Sequence, residues 1–309
     1  MNRAITGFGI SIVIIALFAI ACLCVFTRSS RAAAGGSPKQ LQPVPATLAE
    51  KIEASAPDKA TRPPVKPRKI LVFWLCKGWF HECIPVANKA IEIMGKKTGA
   101  YEAVFSDDMN MFSADKLAQF DAVLFNNTTH LDFNEPGQKE ALMDFVKGGK
   151  GIIGIHAATD NFYTWPEAAD MMGGLFDGHP WGMNGTWAIK LAEPNHPLNA
   201  AFKGEGFKIR DEIYRVKKLK PGESRRILVT LDLDDPNTQK AQGAKESDRD
   251  MPISWIKDYG KGRVFFCGFG HNNEIFVNTA ILRHYLDGIQ FALGDLAVDA
   301  TPVAKSADK

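Results

Sequence analysis

From residue 69 onward the apolar positions fall into short unbroken runs separated by longer amphipathic stretches. That is the pattern of buried parallel strands joined by crossover helices. KILVFWL (69–75) reads as the first strand, and IPVANKAIEIMGKKTG (84–99) as a helix stopped by Gly99. YEAVFS (101–106), FDAVLFNNT (120–128) and GKGIIGIH (149–156) supply three further strands. NEPGQKEALMDFVKGG (134–149) is a helix with Asn134 as its expected cap and Pro136 in its first turn. Runs and helices of these lengths predict a sheet covered on both faces, with right-handed crossovers. Later the pattern shifts. TWAIKLAE (186–193), FKIRDEIYRV (207–216), RRILVTLDL (225–233) and MPISWIKDYG (251–260) read as strands joined by turns, without helix-length connections. They predict an antiparallel extension. GKGRVFFCGFG (260–270) returns to a buried strand, and residues 272–293 close the domain as a long amphipathic helix. The expected class is α/β, a three-layer sandwich with a mainly parallel central sheet and an antiparallel β extension.

The termini depart from this pattern. Residues 4–26, AITGFGISIVIIALFAIACLCVF, carry no charge and are followed by Arg28 and Arg31. About 20 such residues span the ~30 Å hydrocarbon layer of a bilayer. Two readings stand for residues 1–27: a transmembrane anchor, favoured by the length, or a cleaved signal segment. The nearest small-residue site, at 32–36, lies beyond both arginines. AIAC, ending at Cys22, is a poor lipoprotein box, because Ala19 stands where a larger aliphatic residue is expected. Either reading puts the remainder outside the cytoplasm, in the periplasm or at the cell surface. Residues 28–67, rich in Ala, Pro, Ser and Lys, read as an extended linker in which 47–54 could form one or two helical turns with Thr47 as cap. The folded domain is expected over 68–294, with a featureless tail at 295–309.

Composition narrows the partners. With 309 residues, 45% hydrophobic content and a net charge of +2, the chain can bury a full core but has no electrostatic footprint for nucleic acid. Nothing matches a Rossmann or P-loop spacing, so no nucleotide cofactor is expected. The sequence does not specify an oligomeric state. Cys22 and Cys24 lie in the apolar segment, leaving Cys76, Cys83 and Cys267 without CxxC spacing and hence without a cysteine-based zinc site. Cys76 and Cys83 could bridge one loop in an oxidising compartment, a matter that geometry decides.

Candidate chemistry sits beyond the carboxyl ends of the expected strands, where open α/β sheets bind ligands. His81 and Glu82 follow the first strand. Asn126, Asn127, Thr128, Thr129 and His130 end the third. His156 and Asp160 end the fourth, Asp177 and His179 lie in the next polar knot, and His271 follows the last buried strand. Any one loop histidine is commonly just solvated, but their shared placement at one edge points to a reaction site. His130, His196 and His284 read as structural. Asn127 and Thr128 are candidate substrate contacts. Trp165 and Trp181 suit two roles equally, walls of a sugar pocket or core packing. Asp211 and Glu212 could reach the site from the extension or pair with Arg210 and Arg215 on a solvated strand, the second being the favoured reading.

These pieces resemble the ThuA-like family, named for trehalose utilisation. The resemblance is carried by WFHE (79–82), LFNNTT (124–129), GIIGIHAATDNFYTWPE (151–167), GGLFDGHP (173–180), NHPL (195–198), RDEIY (210–214), PISW (252–255), GKGRVFFCGFGH (260–271) and LRHYLDGI (282–289). It implies a flavodoxin-like fold similar to the class I glutamine amidotransferases, whose strand-to-helix elbow displays a catalytic cysteine. Here that position is His156, and an imidazole cannot form the thioester that glutamine hydrolysis needs. Two uses of the edge remain. In one, His81, His156, His179 and His271 ligate a divalent metal such as zinc, supported by Glu82, Asp160 or Asp177. In the other, His156 with Asp160, alongside His81, is a metal-free acid/base pair. The resemblance implies a sugar or keto-glycoside substrate. The competing reading is a non-catalytic carbohydrate-binding module on the same fold.

Overall fold

In the computed structural model, which describes residues 41–220 and 224–303, the early apolar runs form β1 (Lys69–Phe73), β2 (Glu102–Ser106), β3 (Ala122–Asn126) and β4 (Gly151–Ile155). The late buried run forms β11 (Gly262–Cys267). These five strands pair in parallel in the order β2-β1-β3-β4-β11, the order of a flavodoxin-like sheet. Alternate residues feed two separate cores. Ile70, Val72, Leu124 and Ile153 face one layer, containing α2 (Ile84–Thr98) and α7 (Thr279–Leu293). Leu71, Phe73, Phe125 and Ile152 face the other, containing α4 (Gln138–Lys147) and α5 (Pro166–Met172). Burial on both faces explains why β1, β3, β4 and β11 carry no polar alternation, whereas the edge strand β2 is only partly buried.

The extension is antiparallel, as the spacing predicts. β10 (Pro252–Tyr259) pairs with β11, then β9 (Arg226–Leu231), β6 (Thr186–Leu191) and β7 (Phe207–Arg210) follow outward. The run expected as one strand over 207–216 is broken. β7 ends at Arg210, and the chain resumes only at β8 (Val216–Lys217), which pairs with β5 (Leu175–Phe176). Single helical turns, α3 (Ala114–Leu117) and α6 (Pro236–Gln239), fill connections.

Helix ends follow local chemistry. Pro85 lies in the first turn of α2, and Gly99 closes the helix at φ +65°, its N–H bonded to Gly95 O. Asn134 does not cap α4. Residue 135 precedes a proline and is pushed away from helical geometry, so the chain turns at Gly137, φ +80°, before the helix begins. The long final helix is interrupted at Asn278, whose side chain accepts from the N–H groups of Ala280 and Ile281 and starts α7.

Residues 41–67, expected as the later part of an extended linker, are instead packed on the domain. Leu48, Ile52 and Ala56 recur every fourth residue and give α1 (Ala46–Ser55) one apolar face. That face lies on α2, and Ile52 is fully buried. Pro45, not Thr47, occupies the N-cap. Lys97 closes the other end, its Nζ bonding the carbonyls of Glu53 and Ala56 at 2.7 and 2.9 Å. Beyond α1, the Thr61 N–H donates to Gln290 Oε1 at 2.8 Å, and Arg68 pairs with the buried Asp295 at 2.6 Å. The expected tail also packs in part, since Leu296 and Ala300 are buried. The apolar segment 1–27 lies outside the described residues. Among the described residues, no helix is long and apolar enough to cross a membrane.

The folded unit therefore extends well before β1. Ile52→Ala is expected to lower unfolding stability by ~2–4 kcal/mol in denaturant titration. A chain beginning at residue 68 should lose at least as much. Unchanged midpoints in both would show that α1 contributes nothing to the fold.

Candidate metal centre

β1, β4 and β11 lie in the central part of the sheet, and their carboxyl ends deliver three histidines to one place. The loop after β1 is held by the loop after β3, through a bridge between Cys76 and Thr129 and the Lys77 N–H bonded to Thr129 O at 2.9 Å. That loop sets His81 at the threshold of α2, its carbonyl accepting from the Ile84 N–H. His156 directly follows β4 at φ +47°, a left-handed conformation that a non-glycine residue adopts at a cost of ~1 kcal/mol or more. The side chain is thereby turned at the sheet edge before the short helical turn His156–Thr159 begins. His271 follows Gly270 at the end of the loop beyond β11.

The three imidazoles form a triangle. Ring centroids are 5.1 Å apart for His81–His156, 5.2 Å for His81–His271 and 5.4 Å for His156–His271. The fourth member is Glu212, whose Oε2 lies 3.7 Å from His156 Nε2 and 3.8 Å from His271 Nε2. One ligand atom from each of the four lies within 4.8 Å of the others.

Hydrogen bonds fix the tautomers. His156 Nδ1 is 3.0 Å from Gly268 O, and since a carbonyl only accepts, Nδ1 carries the proton and Nε2 bears the lone pair. Asn272 donates through Nδ2 to Met183 O and Arg210 O, which leaves its Oδ1 as acceptor for His271 Nδ1 at 3.3 Å. His271 Nε2 is therefore also a lone-pair nitrogen. Each of these nitrogens approaches a carboxylate oxygen, a contact that a proton on the ring or a cation between the groups would satisfy. His156 Nε2 and His81 Nδ1 are buried with no hydrogen-bond partner, a state normally costing ~1–3 kcal/mol per group. Burial, and then the charges of His156 and His271, push the His81 imidazole down to about 2, so it is neutral and ligand-competent. Burial also lowers His271. For Glu212, burial alone would raise the carboxyl, but His156, His271 and His179 outweigh it and hold the group below its usual range.

These donors fit a divalent first-row ion. Bonds of ~2.0–2.2 Å put tetrahedral ligand atoms about 3.3–3.6 Å apart, so the 3.7 and 3.8 Å separations need slight closing, and the other ligand atoms lie within 4.8 Å of one another. Three nitrogens and one oxygen suit zinc and its harder neighbours. No thiol competes. Cys83 Sγ bonds Gly270 O and Cys76 Sγ bonds Asn127 O, each at 3.1 Å, and both cysteines, like Cys267, are free.

The expected site residues divide. His81, His156 and His271 converge. His179 does not join them as a ligand: it is 56% exposed, stacks on Phe176, and reaches only the outer oxygen of Glu212, at 3.3 Å. Asp160 does not pair with His156. It accepts from the Tyr163 hydroxyl and lies 3.4 Å from His130, so His130, read as structural, belongs to this polar group. Glu82 and Asp177 are exposed at the surface. Asn127 and Thr128 are fully buried. The Asn127 side chain donates to Asn126 while its Oδ1 is buried without a partner, and Thr128 accepts from Asn161. Trp165 packs with Phe133 and Phe162, and Trp181 is fully buried with its Nε1 bonded to Thr238 O. The core-packing reading of both tryptophans holds. His284 is structural, bonded to Ser254 and Leu198 O in the core.

Asp211 and Glu212 correct the solvated-strand reading. Because β7 stops at Arg210, the next two residues turn inward. Asp211 is fully buried and accepts from the N–H groups of Gly270, His271 and Asn272 at 2.7, 3.1 and 2.8 Å. Burial raises its carboxyl to about 6 against those bonds. Tyr214 completes the wall, its ring 4.4 Å from that of His156 and its hydroxyl 3.4 Å from His81 Nε2. The signal available in RDEIY was its adjacent acids, which break strand alternation just before two apolar residues.

A flavodoxin-like domain that presents a histidine from a left-handed turn after β4, within a buried histidine–glutamate cluster, defines the class of protein. Residues 69–292 match the model of the ThuA family, described as trehalose utilisation, and the chain belongs to that family. Among solved structures it is similar to a ThuA-like protein from Bacteroides uniformis, at 17% identity and a TM-score of 0.58, over 75% of this chain and 94% of that one. It is likewise similar to a ThuA-like protein from Parabacteroides merdae, at 20% identity and a TM-score of 0.57, over 76% and 93%. At these identities the likeness is one of fold. None of the curated proteins compared with the chain matches it.

Asp211 holds the His271 loop without reaching the cluster's centre. Asp211→Asn puts a donor where a backbone N–H needs an acceptor. It is expected to weaken zinc binding roughly 10–100-fold in chelator competition while the fold persists. Wild-type zinc affinity in this variant would refute the positioning role.

Proposed function

We propose that this protein is a metal-assisted enzyme acting on a sugar or keto-glycoside, by hydrolysis or isomerisation, at the site formed by His81, His156, His271 and Glu212. The observation that carries the reading is the convergence of those four side chains, two of them with buried nitrogens lacking any partner. A divalent ion there would supply Lewis acidity toward a carbonyl oxygen or lower the pKa of a water molecule. The chain's own residues set the rest. Gly268 and Asn272 orient the imidazoles of His156 and His271. Tyr214, with its hydroxyl protonated because burial pushes it well above its usual range, can donate toward an oxygen beside His81. Tyr214 packs its ring on His156 and on Phe176, centroids 4.4 Å apart in each case. The sugar assignment rests on the family description, trehalose utilisation. The pure binding-module reading relied on Trp165 and Trp181 as pocket walls, and both lie in the core.

Elemental analysis of the purified full chain, beside His156→Ala and His271→Ala, tests the metal. About one zinc or other transition ion per chain is expected, with both variants losing it. Absence of metal after reconstitution with zinc, manganese, iron(II) and cobalt would sink this mechanism. Turnover of glycosides and keto-sugars should then vanish with the metal.

The apolar segment at 4–26 supports a second part of the proposal, that the domain is held at or exported across a membrane. Expressed in a bacterial cell, the protein should sediment with membranes and resist carbonate extraction, or else appear outside the cytoplasm with a shortened N-terminus. A full-length chain found only in the cytosol would contradict both.

A further inference from the structure

With Trp165 and Trp181 in the core, the aromatic surface suited to a sugar lies elsewhere. Among the described residues the exposed large aromatics are Trp79, at 73%, and Tyr163, at 45%. Both sit beside metal ligands in the chain: Trp79 two residues before His81, and Tyr163 in the loop that follows β4 and His156.

His130 joins them. Its ring lies 2.9 Å from the place a Cβ would take on Gly78, next to Trp79, and its centroid is 5.5 Å from that of Tyr163. Its Nε2 is 3.4 Å from Asp160 Oδ1, the oxygen that accepts from the Tyr163 hydroxyl. The backbone is tied in the same sense. The His130 N–H donates to Asp160 O at 2.7 Å, and Thr129 Oγ1 donates to Trp79 O at 2.9 Å. Asn127, His130, His156 and Phe162 adopt φ between +47° and +62°, so four of the six left-handed non-glycine residues among those described lie in the loops after β3 and β4. Strain of this kind persists where surrounding contacts over-determine a conformation, and it clusters at binding sites.

The resulting strip carries an indole face, a phenol, an imidazole and a carboxylate. Aromatic faces accept the apolar C–H side of a sugar ring, while the carboxylate and imidazole bond its hydroxyls. Lys77, two residues before Trp79, has its Nζ held by Asp132 O at 3.3 Å, and Asp160 disfavours an anionic ligand. We propose that Trp79, His130, Tyr163 and Asp160 form a subsite for one neutral pyranose ring beside the metal ligands. This rests on the sugar-processing reading above.

The test is calorimetric titration of trehalose and methyl α-D-glucopyranoside into the full chain, in a detergent without a sugar head group, with sorbitol as the acyclic control. Metal content is measured on the same samples. Trp79→Ala and Tyr163→Phe change exposed side chains and should leave fold and metal content as in the wild type. The pyranosides are expected to bind and sorbitol not to bind. Trp79→Ala should weaken pyranoside binding about three- to tenfold, and Tyr163→Phe about two- to fivefold. The subsite is overturned if neither pyranoside binds, if both variants bind as the wild type does, or if sorbitol binds equally well. In each of those cases a metal present in the wild type and lost in His156→Ala leaves the metal reading intact. If the wild type holds no metal, the metal reading fails, and the comparison of Trp79→Ala with wild type still decides the subsite.

Discussion

The site is governed by one electrostatic constraint. A buried carboxylate oxygen, Glu212 Oε2, faces the lone-pair nitrogens of His156 and His271 at 3.7 and 3.8 Å. Neutral imidazoles and an ionised carboxylate repel one another at such distances unless a cation sits among them. A proton on one ring satisfies one contact and leaves the other, together with the partnerless His81 Nδ1, unanswered. A divalent ion, as proposed above, would answer these contacts together. The hydrogen bonds behind the rings, to Gly268 O and Asn272 Oδ1, hold the protons on the far nitrogens and keep the near ones available.

The fold brings these groups together from distant parts of the chain. The parallel sheet contributes His81, His156 and His271 from the ends of β1, β4 and β11, as open α/β sheets generally present ligands. The extension contributes Glu212 and, through Asp211, fastens the His271 loop by three backbone bonds. Neither half forms the site alone. This accounts for a feature that strand propensity leaves unexplained, the break between Arg210 and Val216. A continuous strand would alternate Asp211 and Glu212 to opposite faces, whereas the bend buries both on the same side of the structure.

Most of the architecture was legible in the sequence because the central strands are buried on both faces. Their runs are unambiguous, and the helices between them end on recognisable signals such as Gly99. His81, His156 and His271 were legible for a related reason, since each stands at the end of an apolar strand or in the loop that follows one. Glu212 was not. Its neighbours Arg210 and Arg215 offered plausible partners, and only the three-dimensional course of the bend turns the acid away from them. His179 illustrates the reverse failure. It stands in a polar knot of the expected composition, yet the loop leaves its ring exposed and touching the cluster only through the outer oxygen of Glu212. Trp165 and Trp181 failed as pocket residues because aromatic identity carries no information about which side of a loop is buried. The helix over 46–55 was legible only as one or two turns inside an extended linker, although Leu48, Ile52 and Ala56 already traced an apolar stripe.

Local strain gives the last link between fold and site. Four non-glycine residues in the loops after β3 and β4 hold left-handed backbone conformations, each costing on the order of 1–3 kcal/mol. A marginally stable domain tolerates this only where adjoining structure is well packed. Here the loops rest on β3 and β4, whose residues are fully buried, and are pinned by the fully buried Asn161, bonded to Thr128 and to the Leu131 N–H. A rigid sheet can therefore sustain strained loops, and the strained loops keep imidazoles and aromatic rings fixed before any ligand arrives. Ordering such groups in advance would remove an entropy cost from the binding proposed above, so the buried polar network beneath the loops would serve recognition as well as stability.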